Sequence, residues 1–245
     1  RKHEDFVTHR SVVHFIGMSQ EMSRACNEPC LRCRLPQLEA FRMNEFFKQL
    51  KIQRWDDHRY YHHSRINQTL HFISAISFLV AYALLFTDPA LAALVAWLVS
   101  MTTRQSGHFF FEPLGYDEAN QATQEHKEEI KVGYNLRRKI VLLSIWAAAP
   151  VALWVDPGFM GLLEPAASLE GFARNTGMLW LFIGVGGLLF RTVHLFFIKG
   201  VMDGLVWMTK ILTDPYHDIY LYHKAPLALM RGELIEKRGH LGPVA

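Results

Sequence analysis

Residues Ile66–Phe86 read INQTLHFISAISFLVAYALLF, an apolar run closed by Asp88-Pro89. Proline cannot continue a helix and restricts the residue before it, so the run ends there. A second run, ALAALVAWLVSMTTRQSGHFFF, extends from Ala90 toward Phe111 and stops at Pro113. Each is roughly 20 residues, about the length needed to cross a hydrocarbon core of ~30 Å. The turn between them is so short that the two form an antiparallel helical hairpin. A third candidate, IVLLSIWAAAPVALWV from Ile140 to Val155, is short and contains Pro150, which suits a tilted or re-entrant span. The fourth, MLWLFIGVGGLLFRTVHLFFI from Met178 to Ile198, carries Gly184, Gly186 and Gly187, small residues expected to permit close helix packing. The chain is therefore expected to be an all-α polytopic membrane protein with four transmembrane helices. The competing reading is a soluble helical protein that buries these segments. It is disfavoured by the length and charge-poverty of the two adjacent runs.

Lys and Arg set the orientation. They crowd the N-terminal segment, the loop after the second run (Lys127, Lys131, Arg137, Arg138, Lys139) and the tail (Lys199, Lys210, Lys224, Arg231, Lys237, Arg238). The other loops hold Asp88, and Asp156, Glu164, Glu170 and Arg174. The positive-inside rule then puts both termini and the middle loop in the cytoplasm of a bacterial inner membrane or endoplasmic reticulum. A net charge of +3 gives no case for a nucleic-acid surface. Three regions are expected: a polar extension over 1–54, a transmembrane domain over 55–200, and a cytoplasmic amphipathic helix with its tail over 201–245. The start, RKHEDFVTHRSVVHF, has no apolar run suited to a secretory signal. MNEFFKQLKIQRWDDHRYYHH from Met43 reads as a natural start, making 1–42 an extension.

On this topology the histidines converge. His62, His63, Asn67 and His71 lie at the cytoplasmic entrance of the first span. Arg104, His108 and Glu112 lie at the exit of the second, and Arg191 and His194 in the last turns of the fourth. Three segments thus bring imidazoles to one depth, where buried polar groups mark function. His63, Asn67 and His71 recur every four residues and share a helix face, and His108 and Glu112 are also an i, i+4 pair. Such a pair offers a nitrogen and an oxygen to one ion. Imidazoles with a carboxylate suit non-haem Fe(II), with zinc as the alternative. Taken singly, an interfacial histidine is a solvated or hydrogen-bonded residue, Glu112 neutralises Arg104, and the arginines snorkel to headgroups. The coincidence at one face favours metal.

Tyr61-His62-His63, then Asn67 and His71, then a hydrophobic hairpin and Gly107-His108-Phe109-Phe110-Phe111-Glu112, resembles the 2-hydroxy fatty acid dioxygenases. The match covers roughly residues 55 to 112. The resemblance implies an Fe(II)-dependent reaction of O2 with a 2-hydroxy acyl chain, shortened by one carbon. It implies His62, His71 and His108 as ligands, with Glu112 a further ligand or nearby base, and His62 is preferred over His63. His194 is a fourth candidate from its position, and Arg104 or Arg191 is suited to pair with the substrate carboxylate. The chain departs from the family after Glu112, where Pro113-Leu114-Gly115-Tyr116 replaces an Arg-Pro-Ala-like run.

Two further stretches were weighed. Cys26-x3-Cys30-x2-Cys33 has the spacing of a radical-SAM cluster, but Arg32 stands where an aromatic residue is usual, and no barrel domain fits. A zinc site or incidental cysteines suit it better. Phe196 to Leu212 has the pattern of an amphipathic helix on the membrane surface, with His217, Asp218 and His223 able to approach the site. Rival functions are a haem-binding electron carrier, using His71 with His108 or His194, and a non-catalytic subunit or assembly factor of a membrane complex.

Overall fold

The computed structural model describes residues 31–118, 120–130 and 136–236. Helices make up most of them, with two isolated bridges and no strand among the described residues. The chain divides into two compact units, Arg1–Glu45 and Phe46–Ala245. Helix α1, Leu31–Tyr61, is continuous across residues 54 and 55. Cys26 and Cys30 lie outside the described residues, and Cys33 falls within α1.

After α1 come α2, Arg65–Leu84, and then the second apolar run, which is one helical path in three pieces. These are α3, Pro89–Val95, a π-helical stretch Ala96–Met101, and α4, Thr102–Phe110. The residues at both junctions, Val95 and Thr102, keep right-handed helical dihedrals, so the path does not break. A π turn shifts hydrogen bonding to i→i+5 and leaves carbonyls poorly matched. Hydroxyls serve them here: Thr103 Oγ1 donates to the Val99 carbonyl at 2.7 Å and Thr102 Oγ1 to that of Leu98.

Asp88 does more than end α2. Its carboxylate caps α3 through the Leu91 N–H at 3.0 Å and takes both arms of Arg174 at 2.8 and 3.1 Å. Those contacts hold its carboxyl below the ordinary range, the Arg174 hydrogen bond contributing most. Arg174 belongs to α7, Leu169–Ile198, which follows α5, Gln124–Ile130, and α6, Leu136–Val155. Chain order then runs to α8, Val201–Tyr222, and α9, Ala225–Met230.

Helices α3 and α7 touch because Gly177 has no side chain. A Cβ there would overlap the Ala90 carbonyl and crowd Leu94. Close packing was expected at Gly184, Gly186 and Gly187, but none of these would meet a neighbour nearer than 3.8 Å. Around this contact Trp97, Trp146 and Trp180 stack in series, with ring centroids 5.9 and 5.1 Å apart. The indole N–H groups of Trp97 and Trp180 donate to the carbonyls of Trp180 and Trp146.

Helix α8 packs against α2 and α7. It buries Val206, Trp207, Lys210, Asp214, Asp218 and Tyr222 and leaves Leu205, Ile211, Leu212, Tyr216 and Tyr220 exposed. Of the polar positions in the expected stretch, Lys210 is turned into the bundle and paired with Asp214 and Asp57, while Lys199 is exposed. The turn into it at Gly200 has φ of +106°, a conformation that glycine adopts without strain.

Two helices, α2 and α7, are long and apolar enough to cross a membrane. The core helix of a soluble protein is mostly buried, yet only 33% of the most apolar window of α2 and 17% of that of α7 is covered. Phe86, Trp154, Phe190 and Phe197 are among the large apolar side chains left exposed. An apolar surface this extensive points to a nonaqueous neighbour.

Candidate metal centre

His62 follows the last residue of α1, His71 lies in the second turn of α2, and His108 lies near the end of α4. One ligating nitrogen from each lies within 4.8 Å of the other two, so the three form a group that could hold a metal ion. Ring centroids are 4.2 Å apart for His62–His71, 4.9 Å for His71–His108 and 5.3 Å for His62–His108. His62 and His71 are fully enclosed.

Local sequence builds this geometry. Asn67 Nδ2 donates to the Tyr61 carbonyl at 2.9 Å, and Gln68 Nε2 to that of His62 at 2.8 Å. Together they pin the turn between α1 and α2. Gly107 lets α4 meet α2, since a Cβ there would overlap Asn67 Oδ1, with the His71 ring in ordinary contact. Gly107→Ala is accordingly expected to destabilise the protein by about 1–3 kcal/mol, the range for overpacking a filled interior. It should also weaken metal binding, because α4, which carries His108, must shift away from Asn67 to relieve the overlap. Adding Asn67→Ala should restore part of the stability, and thermal unfolding with and without added metal ion checks both effects.

The second nitrogen of each ring is turned toward an acceptor. His62 Nδ1 lies 2.9 Å from the Asp57 carbonyl, and a carbonyl only accepts, so Nδ1 carries the proton. His108 Nδ1 lies 2.9 Å from Glu112 Oε2, and His71 Nδ1 faces Asp218 Oδ2 at 3.5 Å. Acceptors behind Nδ1 favour the tautomer whose Nε2 lone pair is free for a metal. His62 Nε2 and His71 Nε2 then face each other at 3.1 Å. His71 Nδ1 makes no hydrogen bond, so in the metal-free state the His71 proton sits on Nε2 and is donated to His62 Nε2; a cation that displaces this proton meets both lone pairs. Nitrogens each ~2.1 Å from one ion and at right angles about it are separated by about 3 Å, so this spacing fits. Burial and the neighbouring His71 imidazole hold His62 well below the ordinary histidine pKa, keeping it neutral as a ligand must be.

The donor set departs from the expected mixture of nitrogen and oxygen. No carboxylate joins the group among the described residues. Glu112 stands behind His108 because its oxygen meets the wrong nitrogen for shared ligation. Of the adjacent pair, His62 enters the group, while His63 turns away to the Arg59 carbonyl and faces Asp117 at 3.6 Å. His194 does not enter it. Its Nδ1 meets an Arg191 guanidinium nitrogen at 2.9 Å and its ring stacks on Phe190. The reason is packing: α7 lies against α3, α6 and α8, and the imidazoles come from α2, α4 and the turn before α2.

Beside the trio lies a charged network that the sequence reading passed over. Lys210 Nζ donates to Asp214 at 2.6 Å and to Asp57 at 3.1 Å. Arg104 donates to Asp218 at 2.7 Å and lies 3.7 Å from Asp214, which Arg54 also approaches at 3.5 Å. Three aspartates thus balance three cations. Burial alone would raise Asp57, but Lys210 and the other nearby cations outweigh it and hold the carboxyl well below its usual range. Arg104, expected to receive a substrate carboxylate, is engaged by Asp218 and so steadies the carboxylate that faces His71. Tyr222 completes the wall, its ring centroid 5.7 Å from that of His62 and its hydroxyl 3.2 Å from His58 Nδ1. Comparison with protein-family models, curated proteins and solved structures gives no match.

From this end a cavity of about 730 Å³ runs into the helices. Its polar end includes His108, Arg104 and Lys210, and its apolar end Trp97, Trp180 and Ala92. The volume is within the ~300–1,000 Å³ of small-molecule sites. The turn that carries His62 is held by the segment after α9, where Ser64 bridges Ile235 and the Glu236 carboxylate accepts from Gln68 at 2.8 Å and Arg65 at 3.2 Å.

Proposed function

We propose that this chain is a membrane-embedded, non-haem Fe(II) dioxygenase that shortens a 2-hydroxy fatty acid by one carbon. The observation that carries the metal reading is the close approach of His62 Nε2 and His71 Nε2, 3.1 Å apart and joined by His108, with acceptors at the Nδ1 atoms of His62 and His108. The lipid reading rests on the apolar cavity that reaches His108, and on the resemblance of Tyr61–His71 and Gly107–Glu112 to the 2-hydroxy fatty acid dioxygenases. Four spans, formed by α2, the α3–α4 path, α6 and α7, with both termini cytoplasmic, agree with the exposed apolar surface and the Lys/Arg distribution.

A 2-hydroxy acid and one O2 balance to the acid one carbon shorter, CO2 and water. The bound iron would activate O2 and take the hydroxy-carboxylate at its open positions. The protein's own groups do the rest. His62, His71 and His108 hold the ion, and Asp57, Asp218 and Glu112 fix their rings. The Trp97 and Trp180 end of the cavity excludes water from the acyl chain, and Glu112 is the base nearest His108. A haem carrier is less well supported, because a porphyrin needs an open slab between axial ligands and these three rings are in mutual contact.

Anaerobically iron-loaded protein supplied with 2-hydroxy palmitate and O2 is expected to consume the two in equal amounts and release the fifteen-carbon acid. Iron-loaded protein that gives no product with 2-hydroxy acids of any length defeats the assignment. The all-nitrogen donor set favours one second reading, hydrolysis at zinc, for which three histidines and an open position suffice. Zinc retained through purification, with hydrolysis of an ester substrate, would decide for it.

A further inference from the structure

Gly184, Gly186 and Gly187 lie within one turn of α7, and they face different surroundings. A side chain at Gly184 would begin 3.8 Å from the Trp97 indole, and one at Gly187 would begin 3.8 Å from Leu142 Cδ1. Both positions line the cavity. Gly186 is exposed, lines no part of it, and has nothing within 4 Å of a would-be Cβ.

Helix α7 runs parallel to the α3–α4 path. Gly177 lies against Ala90, and seven residues later Gly184 lies opposite Trp97. Moving along α7 from Gly177 toward Gly187 therefore moves toward His108. At 1.5 Å of rise per residue, Ala92 is roughly 24 Å and Trp97 roughly 16 Å along the helix from His108, with Gly187 some 4–5 Å nearer still. Ala92, Trp97 and His108 all border the same cavity.

We propose that Gly184 and Gly187 set the length of apolar chain this cavity admits, acting as a ruler read from the histidine end. The inference rests on the lipid-substrate reading above. The ligand class is a long-chain acyl amphiphile whose polar head lies at His108 and whose tail passes Gly187, then Gly184, to reach Ala92. The absence of side chains at these two points keeps the passage open beside the tryptophan stack. A leucine at Gly184 closes the cavity beyond Trp97, and a leucine at Gly187 closes it sooner. Burying a methylene is worth about 0.8 kcal/mol, so each one denied its place lowers affinity about fourfold.

The test measures binding of 2-hydroxy fatty acids of graded chain length to the full chain in lipid nanodiscs, by displacement of a fluorescent fatty acid. Wild type, Gly184→Leu, Gly187→Leu and Gly186→Leu are compared. Wild type should prefer long chains. Gly184→Leu should lose more than tenfold for the longest while keeping medium chains, and Gly187→Leu should move the cut-off shorter again. Gly186→Leu should match wild type, and all four should keep the same metal content, reporting an intact trio. An unchanged length profile in Gly184→Leu and Gly187→Leu overturns the ruler and leaves the dioxygenase reading standing. Equal loss in all three variants also overturns it, since the cause would then be the helix rather than the cavity. Failure of wild type to bind any chain length removes the lipid reading and the ruler with it.

Discussion

Metal content should fall from about one ion per chain to none when His71 and His108 are both replaced by alanine. Two of the three imidazoles go, and a single neutral nitrogen at His62 cannot hold a divalent ion against water and chelator. His62→Ala alone should weaken binding without abolishing it, because His71 and His108 keep their facing rings and their carboxylate partners. Glu112→Gln retains the ligands and removes only the charge behind His108, and should cost ~10–100-fold in affinity, as losing an outer partner typically does. Elemental analysis of detergent-purified protein, with helical content measured by circular dichroism, gives the result directly. A folded double variant that retains a full equivalent of metal would falsify the site.

Lys210→Met should lower stability by about 3–5 kcal/mol, the cost of removing one member of a buried ion pair. Methionine preserves most of the stem's volume, so the loss is electrostatic. Asp214 and Asp57 are left without the ammonium that meets them at 2.6 and 3.1 Å. Arg104 is already committed to Asp218 and cannot serve both fully. For a chain of this size the unfolding midpoint should drop by roughly 10 °C. Lys210→Met with Asp214→Asn removes the orphaned charge as well, and should recover a substantial part of the loss. Were the single variant as stable as wild type, the network would be a wet surface feature and not a buried one. Metal binding should weaken in parallel, because Asp57 offers its carbonyl to His62 and shares the network with Asp218.

Much of the site was legible because its parts are local. His62, Asn67 and His71 lie close in sequence at the entrance of one helix, and Gly107-His108 with Glu112 lies at the other end of a hairpin. A short turn at Asp88-Pro89 allows only one way to fold that hairpin, which brings the two ends together. The preference for His62 over His63 came from the resemblance, and geometry selects His62 because Arg59 and Asp117 draw His63 outward. His194 looked equivalent by depth alone. Depth along a membrane normal says nothing about which helices are neighbours, and α7 is not packed against α2 or α4 in the way the inference required.

Lys210, Asp214, Asp218 and Tyr222 recur every four residues, the spacing of one helix face. The expected amphipathic helix, Phe196 to Leu212, stops short of Asp214, Asp218 and Tyr222, although Asp218 was expected to approach the site. Whether such a face meets solvent or three opposing cations depends on what lies across from it, which periodicity does not encode.

The amino-acid sequence by itself determined the helices, the turn that folds the first two apolar runs back on each other, and the pairing of His71 with His108. These follow from proline stops, apolar length and residue spacing along a single segment. The tertiary structure alone decided that the group that could hold a metal is three imidazoles, with a carbonyl behind His62 and carboxylates facing His71 and His108, that α8 borders the site, and that Gly177 packs while Gly184 and Gly187 border a cavity. Each of those depends on which atoms of distant segments occupy the same space. Short-range propensity carries no term for that, and close packing of side chains settles it.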